Sequence, residues 1–161
     1  MKRWIGRIVI ALLALVVVVV IAGPWALYGY GLTFVEGRPM PPTDVSVTAE
    51  DIPGMWTELR VSNPVPTPSY SPHGYLLAVA LSLSDAVGLP GRIPGSALLW
   101  QVARSYNSGH MRSSRQAHWH LAGGCMMIWL SRNWTHDELV AKAVELHKDD
   151  EARRARRQKP G

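Results

Sequence analysis

Hydrophobic residues divide the chain into one long apolar segment and a series of shorter amphipathic segments. Residues 8–30 contain no charged side chain, and residues 8–22 consist of Ile, Val, Leu and Ala. Such a segment is long enough to cross a bilayer core of ~30 Å as a helix. After it, apolar residues recur with helical spacing rather than in alternation. The pattern predicts an all-α protein, in which a single N-terminal transmembrane helix precedes a small helical domain.

Two helices are predicted in the first part of this domain. Residues 74–83 are apolar and fit either a buried helix or a short strand. A second helix is predicted to follow Ser96, because a serine hydroxyl at this position can cap the first backbone N–H groups. Its apolar face is formed by Leu99, Val102, Ala103 and Tyr106.

Two further helices are predicted towards the C-terminus. Residues 119–130 are apolar on all sides and predict the central buried helix, although the pair at 123–124 is Gly-Gly, which lowers helix propensity. The last helix has the clearest start signal, because Thr135 and Glu138 have capping-box spacing and Trp134 and Leu139 are placed as a hydrophobic staple. Its buried stripe is predicted to contain Val140, Ala143, Val144 and His147.

Charge and proline content give the domain boundaries. We predict a cytoplasmic N-terminus at 1–7, a transmembrane anchor at 8–30, a linker at 31–43, the helical domain at 44–147 and a basic, disordered tail at 148–161. The formal net charge of +5 lies largely in this tail, which fits a solvated end better than a nucleic-acid-binding arm. Cys125 is the only cysteine, which excludes an intrachain disulfide and favours a small buried hydrophobe.

Basic residues before the apolar segment set the expected orientation. Lys2, Arg3 and Arg7 precede it, so the positive-inside rule places the N-terminus in the cytoplasm and the domain outside. A cleaved signal peptide is the alternative, with a small-residue cleavage site at 20–22. An uncleaved anchor is favoured because Pro24 would lie two residues after that cut and the uncharged stretch continues past it. Both interpretations export the domain.

Four segments resemble the peptidoglycan glycosyltransferase domain of class A penicillin-binding proteins and monofunctional transglycosylases, glycosyltransferase family 51. Residues 95–104, G-S-A-L-L-W-Q-V-A-R, resemble the family's G-S-T-I-T-Q-Q-L-A-K/R signature. Residues 45–53 are similar to its V-x-L-x-D-I-P segment, residues 74–78 to its G-I-x-R-A helix start, and residues 130–139 to its L-E-R-R-Y-S-K-D-E-I segment. The order holds from about Asp44 to Glu145.

This resemblance implies a lysozyme-like helical domain on the periplasmic side of the bacterial inner membrane, with lipid II as substrate. It also implies that the catalytic acids are missing. The family's catalytic glutamate falls at Asn63, whose amide cannot act as a general base. Glu58 is the nearest carboxylate and is the candidate for a shifted base. The second family glutamate falls near Trp119 or His120.

The residues that the resemblance retains belong to a diphosphate-binding surface. They are the helix start at Ser96, the pair Gln101 and Arg104 one turn apart, and Arg115. Without the other matching segments, the pair would be interpreted as the solvated face of a surface helix. His118 and His120 lie two residues apart, on different faces of a helix, which argues against a metal site. His110, Arg112 and Arg115 are expected to form a polar loop, with a cationic patch near the same cleft as the alternative.

Three functional hypotheses follow. The first is a non-catalytic relative that binds lipid II, peptidoglycan glycan, or a penicillin-binding protein or other cell-wall synthase, and needs no cofactor. The second is a divergent active glycosyltransferase that polymerises lipid II with Glu58, for which a divalent cation is allowed. The third is a membrane-anchored envelope scaffold or assembly factor unrelated to that family. The bilayer is a partner, and nucleic acid is not, in all three.

Overall fold

A computed structural model describes residues 2–48, 50–62, 66–83 and 95–158. Within these ranges the chain forms six α-helices and no β-strand, apart from one isolated bridge between Val35 and Met111. The helices are α1 (Lys2–Leu32), α2 (Asp51–Glu58), α3 (Pro72–Leu83), α4 (Ser96–His110), α5 (Gln116–Asn133) and α6 (His136–Gln158). The prediction of an all-α protein is confirmed, and the ambiguous segment at 74–83 is a helix.

Helix α1 combines the apolar segment with the start of the domain core. Its portion Arg7–Leu32 is long and apolar enough to cross a membrane. Its last turn packs tightly on α5, because a Cβ atom built on Gly31 would lie 2.3 Å from the Cys125 Sγ atom. Leu32 and Val35 are buried in the core. The predicted linker at 31–43 therefore begins with residues that belong to the packed domain.

Helix α5 is the central helix, as predicted, and it packs on α1, α3 and α4. Its glycine pair is explained by this packing. A Cβ atom on Gly123 would lie 2.5 Å from the Trp100 ring, and one on Gly124 would lie 3.2 Å from the Tyr75 ring. The low helix propensity of glycine is offset because two aromatic side chains can contact the α5 backbone directly.

Helix α4 begins one residue earlier than predicted. Gly95, not Ser96, is the N-cap residue, with φ of 67°, and no side chain caps the helix. Gly95 also lies against Thr67, since a Cβ atom there would be 3.1 Å from the Thr67 Cα atom. Ser96 is the first helical residue, so its prediction as the N-cap is wrong. The positive φ and the close contact both favour glycine at the cap.

The start of α6 agrees with the sequence. The backbone N–H of Thr135 donates to the Glu138 carboxylate at 2.6 Å, and the N–H of Glu138 donates to Thr135 Oγ1 at 3.3 Å. This is the reciprocal pairing of a capping box. Trp134 and Leu139, the predicted staple, are both buried. The end of α6 differs, because the helix continues to Gln158 through most of the segment predicted as a disordered tail.

Candidate binding cleft

An open cleft of about 820 Å³ lies between the end of α2, one face of α4 and the second half of α6. Three arginines and two carboxylates line it together with apolar and small polar residues. The charged residues are Arg104, Arg153, Arg154, Glu58 and Asp150. Helix α1 packs on α5 and α3, whereas α4 packs on α5 and α6. Gly31 of α1 packs on α5 at Leu121 and Cys125, whereas Trp100 of the cleft packs on α5 at Gly123, so the cleft faces away from α1.

Glu58 lies at one end of the cleft, where hydrogen bonds from His147 and Arg154 hold its carboxylate. Its Oε2 atom accepts a short hydrogen bond from His147 Nδ1, and its Oε1 atom lies 2.6 Å from Arg154 Nη2. The other imidazole nitrogen of His147 lies 3.4 Å from Glu151. The hydrogen bond from His147 is the main cause of a lowered pKa for Glu58, and Arg154 adds to it against partial desolvation. A carboxylate held in this way is a weak general base.

The lowered pKa predicts how Glu58 affects stability in acid. Because the pKa is lower in the folded state, the stability that Glu58 contributes is complete above its ordinary pKa of 4.5 and is lost as the pH falls through the folded value. We expect Glu58→Gln to remove about 1 kcal/mol at pH 7 and to flatten the acid limb of the stability profile. Urea unfolding of the full-length protein in detergent between pH 3 and 7 measures this difference, with Glu36→Gln as an exposed control. An unchanged acid limb in the Glu58 variant would contradict the assignment.

Gln101 and Arg104 lie on the same wall of the cleft, as their spacing predicts. The Gln101 Oε1 atom is buried and has no hydrogen-bond partner within the described ranges. Arg104 is exposed and forms no salt bridge there, whereas Arg154 pairs with Glu58 and Arg153 lies 4.0 Å from Asp150. This wall therefore offers one uncompensated cation to a ligand, and beside it lies a buried amide oxygen without a hydrogen-bond partner among the described residues.

Trp100 completes that wall and is held from behind. Its ring packs against the backbone of α5 at Gly123 and meets the Trp119 ring edge-on, with 5.2 Å between ring centroids. It is half-buried and lines the cleft beside Gln101. An aromatic ring held in this way is a rigid apolar surface next to a cation.

The other predicted site residues are not among those that line the cleft. Ser96 lies one residue before the lining residue Ala97, and Arg115 is exposed at the start of α5. Asn63 lies outside the described residues. The structure thus brings Glu58, Gln101 and Arg104 into one cleft and leaves Ser96 and Arg115 outside its lining.

The histidines at and after the predicted polar loop lie in α4 and α5 and have partners of their own. The His118 ring stacks on Phe34 with 4.0 Å between centroids and its Nδ1 atom lies 2.7 Å from Ser113 Oγ. The His110 ring stacks on Tyr106. Among the described side chains, no group of three His, Cys, Asp or Glu residues is arranged to hold a metal ion. Burial raises the pKa of the Cys125 thiol to about 11, which fits its expected role as a small core residue.

No sequence pattern indicates that Arg154 and Trp100 line a cleft, or that His147 pairs with the cleft carboxylate of Glu58. His147 was expected in the buried stripe of α6, and its side chain is only 12% exposed, but its partner Glu58 lies 89 residues away in the chain. Arg154 was placed in the disordered tail. The only local signal was the helical stripe that orients His147 towards the domain.

Comparisons with known proteins give no match. No protein-family model matches the chain, and neither curated proteins nor solved structures show significant similarity to it. The class of the protein is therefore defined by its all-α fold and by the helix that is apolar enough to cross a membrane. The likeness to peptidoglycan glycosyltransferases stays a prediction.

Proposed function

We propose that the protein is a membrane-anchored, non-catalytic binding protein of the bacterial cell envelope. Its helical domain would lie on the periplasmic side as a degenerate peptidoglycan glycosyltransferase-like domain, and its cleft would bind the diphosphate and sugar of lipid II. The observation that carries this proposal is the pairing of an uncompensated Arg104 with an unsatisfied Gln101 on one cleft wall, while the carboxylate of Glu58 is already engaged.

The charges of the cleft favour an anionic ligand. Its three arginines exceed its two carboxylates by one, and Arg104 is the guanidinium without a carboxylate partner in the described part of the chain. Guanidinium groups bind phosphate oxygens with two parallel hydrogen bonds. Rotation of the Gln101 side chain would let its buried Oε1 atom accept a hydrogen bond from a ligand hydroxyl or amide, and the Trp100 ring would contact the apolar face of a sugar. A sugar diphosphate has all three features.

The engagement of Glu58 favours binding over catalysis. A general base for glycan polymerisation must be free to take a proton from the attacking hydroxyl group. Glu58 already accepts hydrogen bonds from His147 and Arg154, which favour its ionised form but occupy both of its oxygens. Asp150, the second carboxylate of the cleft, is half exposed and lies beside Arg153.

Binding of lipid II by the full-length protein in lipid nanodiscs tests the proposal. We expect saturable binding, followed through tryptophan fluorescence, and about tenfold weaker binding by Arg104→Gln, because one charge-assisted hydrogen bond is lost. Arg112→Gln is the matched control, since Arg112 is exposed and does not line the cleft. Inorganic diphosphate should compete. Absence of binding, or equal losses in both variants, would contradict the proposal.

A divergent active glycosyltransferase is the second candidate, because Glu58 lies in the same cleft as Gln101 and Arg104. Incubation of labelled lipid II with the solubilised full-length protein, with an active synthase alongside, distinguishes the two. The binding proposal expects no glycan strands. If strands form and Glu58→Gln abolishes them while lipid II still binds, the second candidate replaces the first.

A further inference from the structure

Proline 24 leaves one backbone carbonyl of α1 without its helical hydrogen bond. In an α-helix the carbonyl of residue i accepts from the N–H of residue i+4, and proline has no N–H. Pro24 lies inside α1, so the carbonyl of Val20 has no intrahelical donor. Val20 is within the segment that can cross a membrane, where an unsatisfied carbonyl is costly because lipid chains offer no donor.

His73, in the first turn of α3, satisfies this carbonyl. Its Nε2 atom lies 3.1 Å from the Val20 oxygen. Because a carbonyl oxygen only accepts, His73 must present Nε2–H. The two residues form a matched pair across two helices: Pro24 frees the acceptor, and His73 supplies the donor.

The position of this pair along α1 gives its depth. Trp25 lies beneath the guanidinium of Arg132, 5.4 Å from its ring centroid, an arrangement typical of a membrane–water interface. Val20 precedes Trp25 by five residues, which at a rise of about 1.5 Å per residue places it about 7.5 Å deeper in the bilayer. Helix α3 therefore begins below the interface rather than above it.

The composition and exposure of α3 fit that depth. Its twelve residues include no Asp, Glu, Lys or Arg. Leu76, Leu77 and Leu81 are 39%, 61% and 42% exposed, and α3 packs on α1, whose apolar residues are also exposed. A helix of twelve residues is too short to span a bilayer but has the length of an interfacial or re-entrant segment.

We infer that α3 is a second membrane-inserted element, which begins within the leaflet facing the domain, is fastened to α1 by the His73–Val20 hydrogen bond, and presents Leu76 and Leu77 to lipid acyl chains. The domain is then attached to the membrane along two helices instead of one tether. This lipid contact requires neither lipid II nor catalysis.

Probe accessibility in full-length protein tests the insertion. A nitrobenzoxadiazole label on Leu77→Cys, in nanodiscs, is expected to be quenched by doxyl groups on lipid acyl chains and protected from iodide in water. Native Cys125 is buried and should react little with the label. The protein without an introduced cysteine, treated in the same way, measures this background. The same label on Ser108→Cys, an exposed position on α4, should show the reverse. Iodide quenching at position 77 equal to that at 108 would overturn the insertion.

A double-mutant cycle tests the hydrogen bond. His73→Ala is expected to lower the thermal unfolding midpoint in nanodiscs by about 2–4 °C. In Pro24→Ala the new N–H can bond the Val20 carbonyl, so the further change to His73→Ala should cost much less. His73→Gln, whose amide group also donates, should lower the unfolding midpoint by less than His73→Ala does. Additive effects of Pro24→Ala and His73→Ala would overturn the pairing.

Discussion

Replacing Gly123 with alanine is expected to lower the free energy of unfolding by about 1–3 kcal/mol. The added methyl group would lie 2.5 and 2.9 Å from two carbon atoms of the Trp100 ring, well inside contact distance. The ring cannot retreat without cost, because its other contacts include the Trp119 ring. The intrinsic helix preference of alanine over glycine, about 1 kcal/mol, opposes this loss but does not cancel it.

Urea unfolding of the full-length protein in detergent, followed by circular dichroism, measures this difference. Gly109→Ala in α4 is the matched control, because a Cβ atom there meets nothing within 4 Å. The control should be neutral or stabilising by up to about 1 kcal/mol. In protein that already carries Trp100→Leu, Gly123→Ala should lower the free energy of unfolding by less than it does in the native protein, because the ring that the methyl group meets is gone. Equal stability of the Gly123 and Gly109 variants would mean that the contact does not constrain α5.

The same contact connects the fold to the cleft. Gly123 allows the Trp100 ring to contact α5 closely, and Trp100 forms the cleft wall beside Gln101. A methyl group at 123 would push the ring towards the cleft. A glycine that lowers helix propensity in the central helix therefore positions a side chain of the proposed binding site.

Local signals predicted those parts of the fold that local interactions determine. The capping box at Thr135 and Glu138 is formed by residues three apart, so the start of α6 could be predicted from sequence alone. The start of α4 could not, because Gly95 has its positive φ next to Thr67, which is 28 residues away in the chain. The sequence does not predict that α6 continues to Gln158, because the residues of its second half are charged and exposed and so form no apolar stripe.

The candidate site divides in the same way. Gln101 and Arg104 share a helix face, which their spacing fixes. Glu58 has its partners His147 and Arg154 on a helix 89 and 96 residues further along the chain, and no local pattern encodes such pairs. The sequence therefore indicated one wall of the cleft and a candidate carboxylate, but it could not indicate that this carboxylate is engaged.

Replacing Asn107 with leucine is expected to raise the free energy of unfolding by about 1–3 kcal/mol. Asn107 lies on the core-facing side of α4 and is 0% exposed, yet neither its Nδ2 nor its Oδ1 atom has a hydrogen-bond partner among the described residues. A buried amide without partners loses its hydration and gains nothing in return. Leucine has a similar branched shape, has no polar atoms and is a better helix former.

Two further variants show whether the gain comes from removing the unpaired amide of Asn107. Asn107→Ala removes the same polar atoms but leaves a space, so its gain should be smaller than that of leucine. Asn133→Leu is the control, because Asn133 is exposed and its Nδ2 atom donates to the Trp129 carbonyl at 2.7 Å, and no gain is expected there. Urea unfolding under the same conditions compares all three. Destabilisation by both Asn107 variants would show that the amide has a bound water or other partner, and Asn107 would then be a polar site in the core that is worth retaining.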